Sequence, residues 1–148
     1  MKIVILSVGK EKDEVSADLA RHFELRLLRY LPVELLYVAH DATKEKESEK
    51  IISHIKKDDY VVLLDEKGKD IKSEMLAEII ENRMVDSVRR MVFIVGGSYG
   101  VSESIIERAN YVWKLSSLVF PYMLVRVILL EQLYRALTII KGEKYHHA

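Results

Sequence analysis

Met91-Val92-Phe93-Ile94-Val95-Gly96-Gly97-Ser98-Tyr99-Gly100 (MVFIVGGSYG) is the stretch on which the fold turns. Five apolar residues in a row read as a strand buried on both faces, the habit of a parallel sheet. The strand runs straight into a glycine pair, which permits positive φ and close approach of backbone to a ligand. The pattern is neither the GxGxxG dinucleotide fingerprint nor a phosphate-binding P-loop, because no Gly-Lys-Ser/Thr closes it. By itself it is equally a tight strand-to-helix turn.

Outward from it the same grammar repeats. Lys2 to Val8 (KIVILSV), closed by Gly9, is a first strand. Asp13 is placed to cap a helix whose apolar stripe is Val15, Leu19, Phe23 and Leu27, ended by Pro32. Val33 to Ala39 and Tyr60 to Leu64 are further strands. The charged segment between them, Asp41 to Asp59, reads as a solvated helix or flexible loop. Asp65 to Lys69 is a turn signal, and Ser73 can cap a helix carrying Leu76, Ile79, Ile80 and Met84. A short helix near Ser102 to Ala109, a strand at Tyr111 to Leu115, a loop at Ser116 to Phe120 and a helix from Pro121 complete the chain. Alternating strands and helices imply one α/β domain over residues 1–148, with a mainly parallel sheet covered by helices on both faces.

The last helix is unusually apolar. It is either central to the core or packed in part against a second subunit, and the second reading is preferred.

The 148 residues contain no cysteine, which removes disulfides and thiolate chemistry and fits a reducing cytoplasm. The opening run is too short for a signal peptide, and no apolar run is long enough for a membrane span. Net charge is zero, against a protein coated in positive charge, although residues 121–148 are mildly basic.

In an open α/β sheet, ligands gather beyond the carboxyl ends of the strands. Three segments lie there: Leu64 to Lys69, Gly96 to Gly100, and the uncharged loop Leu115, Ser116, Ser117, Leu118, Val119, Phe120. Such a loop suits an adenine or a thioether. His22, His40 and His54 show no metal-ligand spacing and read as structural or solvent-exposed, and no metal is expected. Tyr145-His146-His147 reads, by itself, as a frayed tail.

Together these blocks resemble a known family. Phe120-Pro121-Tyr122-Met123-Leu124-Val125-Arg126, Glu131-Gln132-Leu133-Tyr134-Arg135-Ala136 and Gly142-Glu143-Lys144-Tyr145-His146 are similar to the RlmH methyltransferases, of the SPOUT class. Leu64 to Lys69, Ile94 to Gly100 and the opening MKIVILSVGK match as well. The resemblance spans almost the whole chain and is weakest between residues 40 and 58. It implies a C-terminal trefoil knot, a homodimer and S-adenosylmethionine as cofactor. The implied reaction is methylation of N3 of a pseudouridine in large-subunit ribosomal RNA. Leu64, Gly96 and Leu115 to Phe120 then match the cofactor positions. On the RNA side Arg126 would stabilise an imide anion or hold a phosphate, His146 would be a general base, and Tyr145 would stack on a base. Arg135, Lys141 and Lys144 would grip RNA backbone. The chain departs from the family at Tyr122, where histidine is common, and at His147, where arginine or lysine is usual. Its weak charge points to a preassembled ribosome or large subunit as substrate. The alternatives are a SPOUT enzyme acting on another RNA such as tRNA, and a flavodoxin-like nucleotide-binding module.

Overall fold

The computed structural model describes residues 1–10 and 13–147. Within them the order is β1 (Lys2–Val8), α1 (Glu14–Leu27), β2 (Val33–Val38), α2 (Lys44–Ser53), β3 (Tyr60–Asp70), α3 (Ser73–Val85), β4 (Arg90–Val95), α4 (Glu103–Arg108), β5 (Tyr111–Lys114) and α5 (Tyr122–Ile140). The strands form one sheet in the order β2-β1-β4-β3-β5, and every pairing is parallel. Parallel neighbours need long crossovers, which the helices supply. Side chains of α1, α3 and α5 fill one face of the sheet, and those of α2 and α4 the other. The central strands are covered twice, so Ile3 to Val8 and Met91 to Val95 are buried without alternation.

Several elements differ from expectation in instructive ways. In α1 the buried residues are Ser16, Ala20 and Leu27, while Val15 and Leu19 are exposed. A row spaced by four drifts about 40° per step around a helix of 3.6 residues per turn, so Val15 has rotated away from the face that Leu27 buries. The helix also ends at Leu27, before Pro32, in a turn closed by Tyr30 N–H on Leu27 O. The charged segment forms α2, capped by Thr43, and it is not merely solvated: Glu47, Ser48 and Ile51 are buried.

The Asp65 to Lys69 turn lies inside a strand. Leu64 and Lys69 both pair with Trp113, so Asp65 to Gly68 bulges out of the β3–β5 ladder. Gly68 is obligatory there, because a Cβ would lie 2.6 Å from the carbonyl carbon of Val112. Ser73 does not cap α3. Lys72 takes that position, and Ser73 donates to Gln132 Oε1 at 2.6 Å, tying α3 to α5.

The apolar last helix is accounted for by the core. Leu129, Leu130, Leu133, Ala136 and Leu137 are buried in the cluster that α5 shares with α1 and α3. Each of these leucines contributes about 2 kcal/mol. Only its first turn shows an exposed leucine, Leu124. Among the described residues no helix is long and apolar enough to cross a membrane.

Candidate active site

Register brings the three expected segments to one edge of the sheet. Leu64 pairs with Val95 on one side and Trp113 on the other. Gly96 directly follows Val95 and emerges beside Leu64, while Leu115 begins after Lys114, which pairs with Asp70 beyond the bulge. Leu64, Leu115, Ser116 and Phe120 are half-buried, and Ser117, Leu118 and Val119 are exposed. Ser116 Oγ accepts from Leu118 N–H at 3.0 Å and folds the loop on itself. Across from it, Gly100 N–H closes a turn on Gly97 O at 3.0 Å, lifting Tyr99 into solvent. These two loops offer backbone and uncharged side chains, bordered by the Asp70–Lys114 ion pair, and a Cβ on Gly96 would press to 2.9 Å from Val101.

Arg126 lies one strand further along. It is buried, with Nε donating to Ser7 Oγ at 2.5 Å and Nη2 to Val8 O at 2.8 Å and to Gly9 O. Its guanidinium stands 4.9 Å from the Tyr37 ring and 4.7 Å from the Tyr122 ring. The first turns of α5 are thereby fastened to the carboxyl end of β1 by a cation held between two aromatic rings.

The tail is docked rather than frayed. Tyr145 OH donates to Glu131 Oε1 at 3.1 Å, and its ring meets Tyr134 edge-on at 4.7 Å. Burial, then the Glu131 contact, pushes the Tyr145 phenol above its ordinary pKa. Arg135 bonds Glu131 at 2.6 Å and covers the Tyr145 ring. Arg135 also donates to His146 Nδ1 at 3.1 Å, because a guanidinium can only donate. The imidazole is then protonated on Nε2, which donates to Glu74 Oε1 at 2.8 Å. Both ring nitrogens of His146 are engaged, and as docked it has no open acceptor for a proton. Arg135 is likewise spent on its neighbours, leaving Lys141 and Lys144 as the exposed cations of this end.

A second histidine site was missed in the sequence. His40 Nδ1 donates to Glu47 Oε2 at 3.3 Å, and the same oxygen accepts from Asp41 N–H at 3.0 Å. The His40 ring lies over Gly9 and meets Tyr122 edge-on at 5.9 Å. The signal was faint, since Glu47 sits in a charge run and only a histidine seven residues earlier singles it out. Among the described residues no cluster of three or more metal-binding side chains forms.

Comparison with known proteins gives the family and the fold. The family model described as "Predicted SPOUT methyltransferase" matches residues 1–146. The chain is 40% identical to the ribosomal RNA large subunit methyltransferase H of Clostridium botulinum strain Kyoto, over 99% of each chain. It is 39% identical to the protein of the same name from strain Okra, again over 99% of each. Its fold is similar to the crystal structure of a probable methyltransferase from Bordetella pertussis Tohama I. That likeness has TM-score 0.55 and 11% identity, over 91% of this chain and 95% of that one.

Proposed function

This chain belongs to the SPOUT methyltransferase family, and from that membership we propose that it methylates N3 of a pseudouridine in large-subunit (23S) ribosomal RNA, on the assembled ribosome or large subunit, with S-adenosylmethionine as donor. The observation that carries the reading is the gathering of Leu64, Gly96 and the uncharged loop Leu115 to Phe120 at one end of the sheet.

That edge fits the cofactor. A neutral loop takes an adenine and a thioether without burying a second charge beside a sulfonium. Leu64, Gly96, Leu115, Ser116, Ser117, Leu118, Val119 and Phe120 would hold it, largely through backbone groups. When bound, S-adenosylmethionine supplies an electrophilic methyl group. The protein's task is to align the target nitrogen and to assist loss of its imide proton. Arg126 sets a fixed positive charge behind the carboxyl end of β1, favouring an anion in front of it. Tyr145 and His146 form the RNA-facing tail, and His146 must leave Glu74 and Arg135 before its ring nitrogens can meet the nucleotide. Lys141 and Lys144 contact phosphates.

The chain acts as a single cytoplasmic domain over residues 1–148 and as a homodimer. Exposure of Leu118 and Val119 on the loop before α5, and of Leu124 in its first turn, supports the dimer, since such residues cluster at interfaces. A trefoil knot belongs to the same reading, and the Asp65 to Gly68 excursion against β5 supports it.

Calorimetry with S-adenosylmethionine, its demethylated product and FMN tests the site. Binding of the first two and not the third is expected; FMN alone would overturn the reading. Methylation of protein-free ribosomal RNA as well as ribosomes would overturn the particle requirement.

A further inference from the structure

At its carboxyl end β4 is flanked by β3 on one side and β1 on the other, and each pair sets a place for a crevice. One opens towards β3 and is the proposed cofactor edge. The other opens between β4 and β1, where the chain leaves β1 for α1 on one face and β4 for α4 on the other. Divergence of that kind makes a ligand crevice in α/β sheets. Its walls are Gly9, Gly97, His40, Glu47 and Tyr122.

Within it the His40–Glu47 pair is built as an oriented base. Glu47 is 6% exposed, a carboxylate carried inward by α2. Its Oε2 accepts from Asp41 N–H and from His40 Nδ1, which fixes the imidazole as the Nδ1–H tautomer. Nε2 is left with its lone pair and no hydrogen-bond partner among the described residues. The ring is packed against Gly9 and Tyr122, yet 48% of the side chain is exposed. Gly9, at φ +90°, makes room for it, because a Cβ there would lie 2.6 Å from Nε2. The other carboxylate oxygen, Glu47 Oε1, would lie 3.3 Å from a Cβ on Gly97, the residue after the cofactor-edge Gly96. A purely structural Glu47 would need only the Asp41 amide; holding an exposed imidazole by one nitrogen is the arrangement of a base and its orienting acid.

We propose that the β1–β4 crevice receives the target base and that His40, oriented by Glu47, accepts its imide proton. The inference rests on the methyltransferase reading above. In the step, the N3–H proton passes to His40 Nε2 and the N3 electron pair forms the bond to methyl. The methyl–sulfur bond breaks, its electrons stay on sulfur as a neutral thioether, and the imidazolium later returns its proton to water. The charged and titratable groups around His40 are Glu47 on α2, Asp41 with its partner Lys50, and Tyr122 and Arg126 on α5.

Two measurements test it. The first is nitrogen NMR of the ligand-free full chain, where His40 should be the Nδ1–H tautomer and should lose that preference in Glu47→Ala. An Nε2–H tautomer in the wild type would overturn the proposal. The second is the pH profile of kcat on ribosomes lacking the modification, for wild type, His40→Gln and His146→Gln. His40→Gln should lower kcat at least a hundredfold, abolish the acid limb, and leave S-adenosylmethionine affinity within twofold. His146→Gln should keep the acid limb. A His40→Gln enzyme with wild-type kcat and profile would overturn the base assignment while leaving the activity intact. A wild type without methylation would instead sink the methyltransferase reading on which the step depends.

Discussion

His146 presents Nε2 to Glu74 Oε1 at 2.8 Å, so the last described turn of the chain is fastened to the first turn of α3. This contact holds the Glu74 carboxyl below its ordinary pKa. A depressed acid contributes stability above its unfolded value and loses it as pH falls through the folded one. The tail is therefore expected to stay docked at neutral pH and to release only below the usual carboxylate range. Glu74→Gln should raise amide exchange in residues 141–147 at neutral pH with an unchanged melting temperature, since an exposed pair adds little to global stability. Equal protection in the variant would show that Glu74 does not hold the tail.

Arg126 should be a stability residue whatever its part in chemistry. Arg126→Met leaves Ser7 Oγ and the carbonyls of Val8 and Gly9 without their buried donor. The expected cost is about 2–4 kcal/mol in urea denaturation. Arg126→Lys should recover only part of it, because one ammonium cannot reproduce the planar fork between two rings.

Gly68→Ala should damage the proposed cofactor edge from a distance. The new methyl meets the backbone of Val112 and Trp113, which cannot yield as a side chain would. A cost of about 1–3 kcal/mol is expected. The β3–β5 register that sets Leu64 beside Trp113 should shift, weakening S-adenosylmethionine binding in calorimetry at least tenfold. Unchanged binding would separate the bulge from the site.

Tyr30 should be a late-titrating tyrosine. Its hydroxyl donates to Glu143 at 2.7 Å, and that bond, with burial, pushes the phenol from 10.0 up to about 12. The raised group contributes stability in full below the unfolded value, and this is lost as pH rises from 10 towards 12. Ultraviolet titration should show late-ionising phenol absorbance that falls by one tyrosine in Tyr30→Phe, the raised Tyr145 remaining. The variant should also lose the steep fall of stability over that window.

The sheet was legible because its central strands are continuous apolar runs closed by glycine, and two-sided burial leaves no other pattern. The strand ends that carry Leu64 and Gly96 were legible for the same reason, since the ends of those runs are where the chain must turn. Less legible were features that depend on which residues meet. The burial of Glu47 inside a charge run follows from His40 and Asp41 lying above it after β2, a contact no spacing rule anticipates. The Asp65 to Gly68 bulge read as a turn because its residues are turn residues, although the ladder resumes at Lys69. The last helix is apolar beyond a surface helix, and the burial of Leu129 to Leu137 against α1 and α3 explains much of that apolarity.

The most direct test of the account is the destination of the methyl group. The protein is incubated with methyl-labelled S-adenosylmethionine and ribosomes lacking the modification, and the RNA is digested and mapped by mass spectrometry. The account predicts one labelled methyl on N3 of a pseudouridine in the large-subunit RNA. Label on tRNA, on another atom of the ribosomal RNA, or on neither would contradict it.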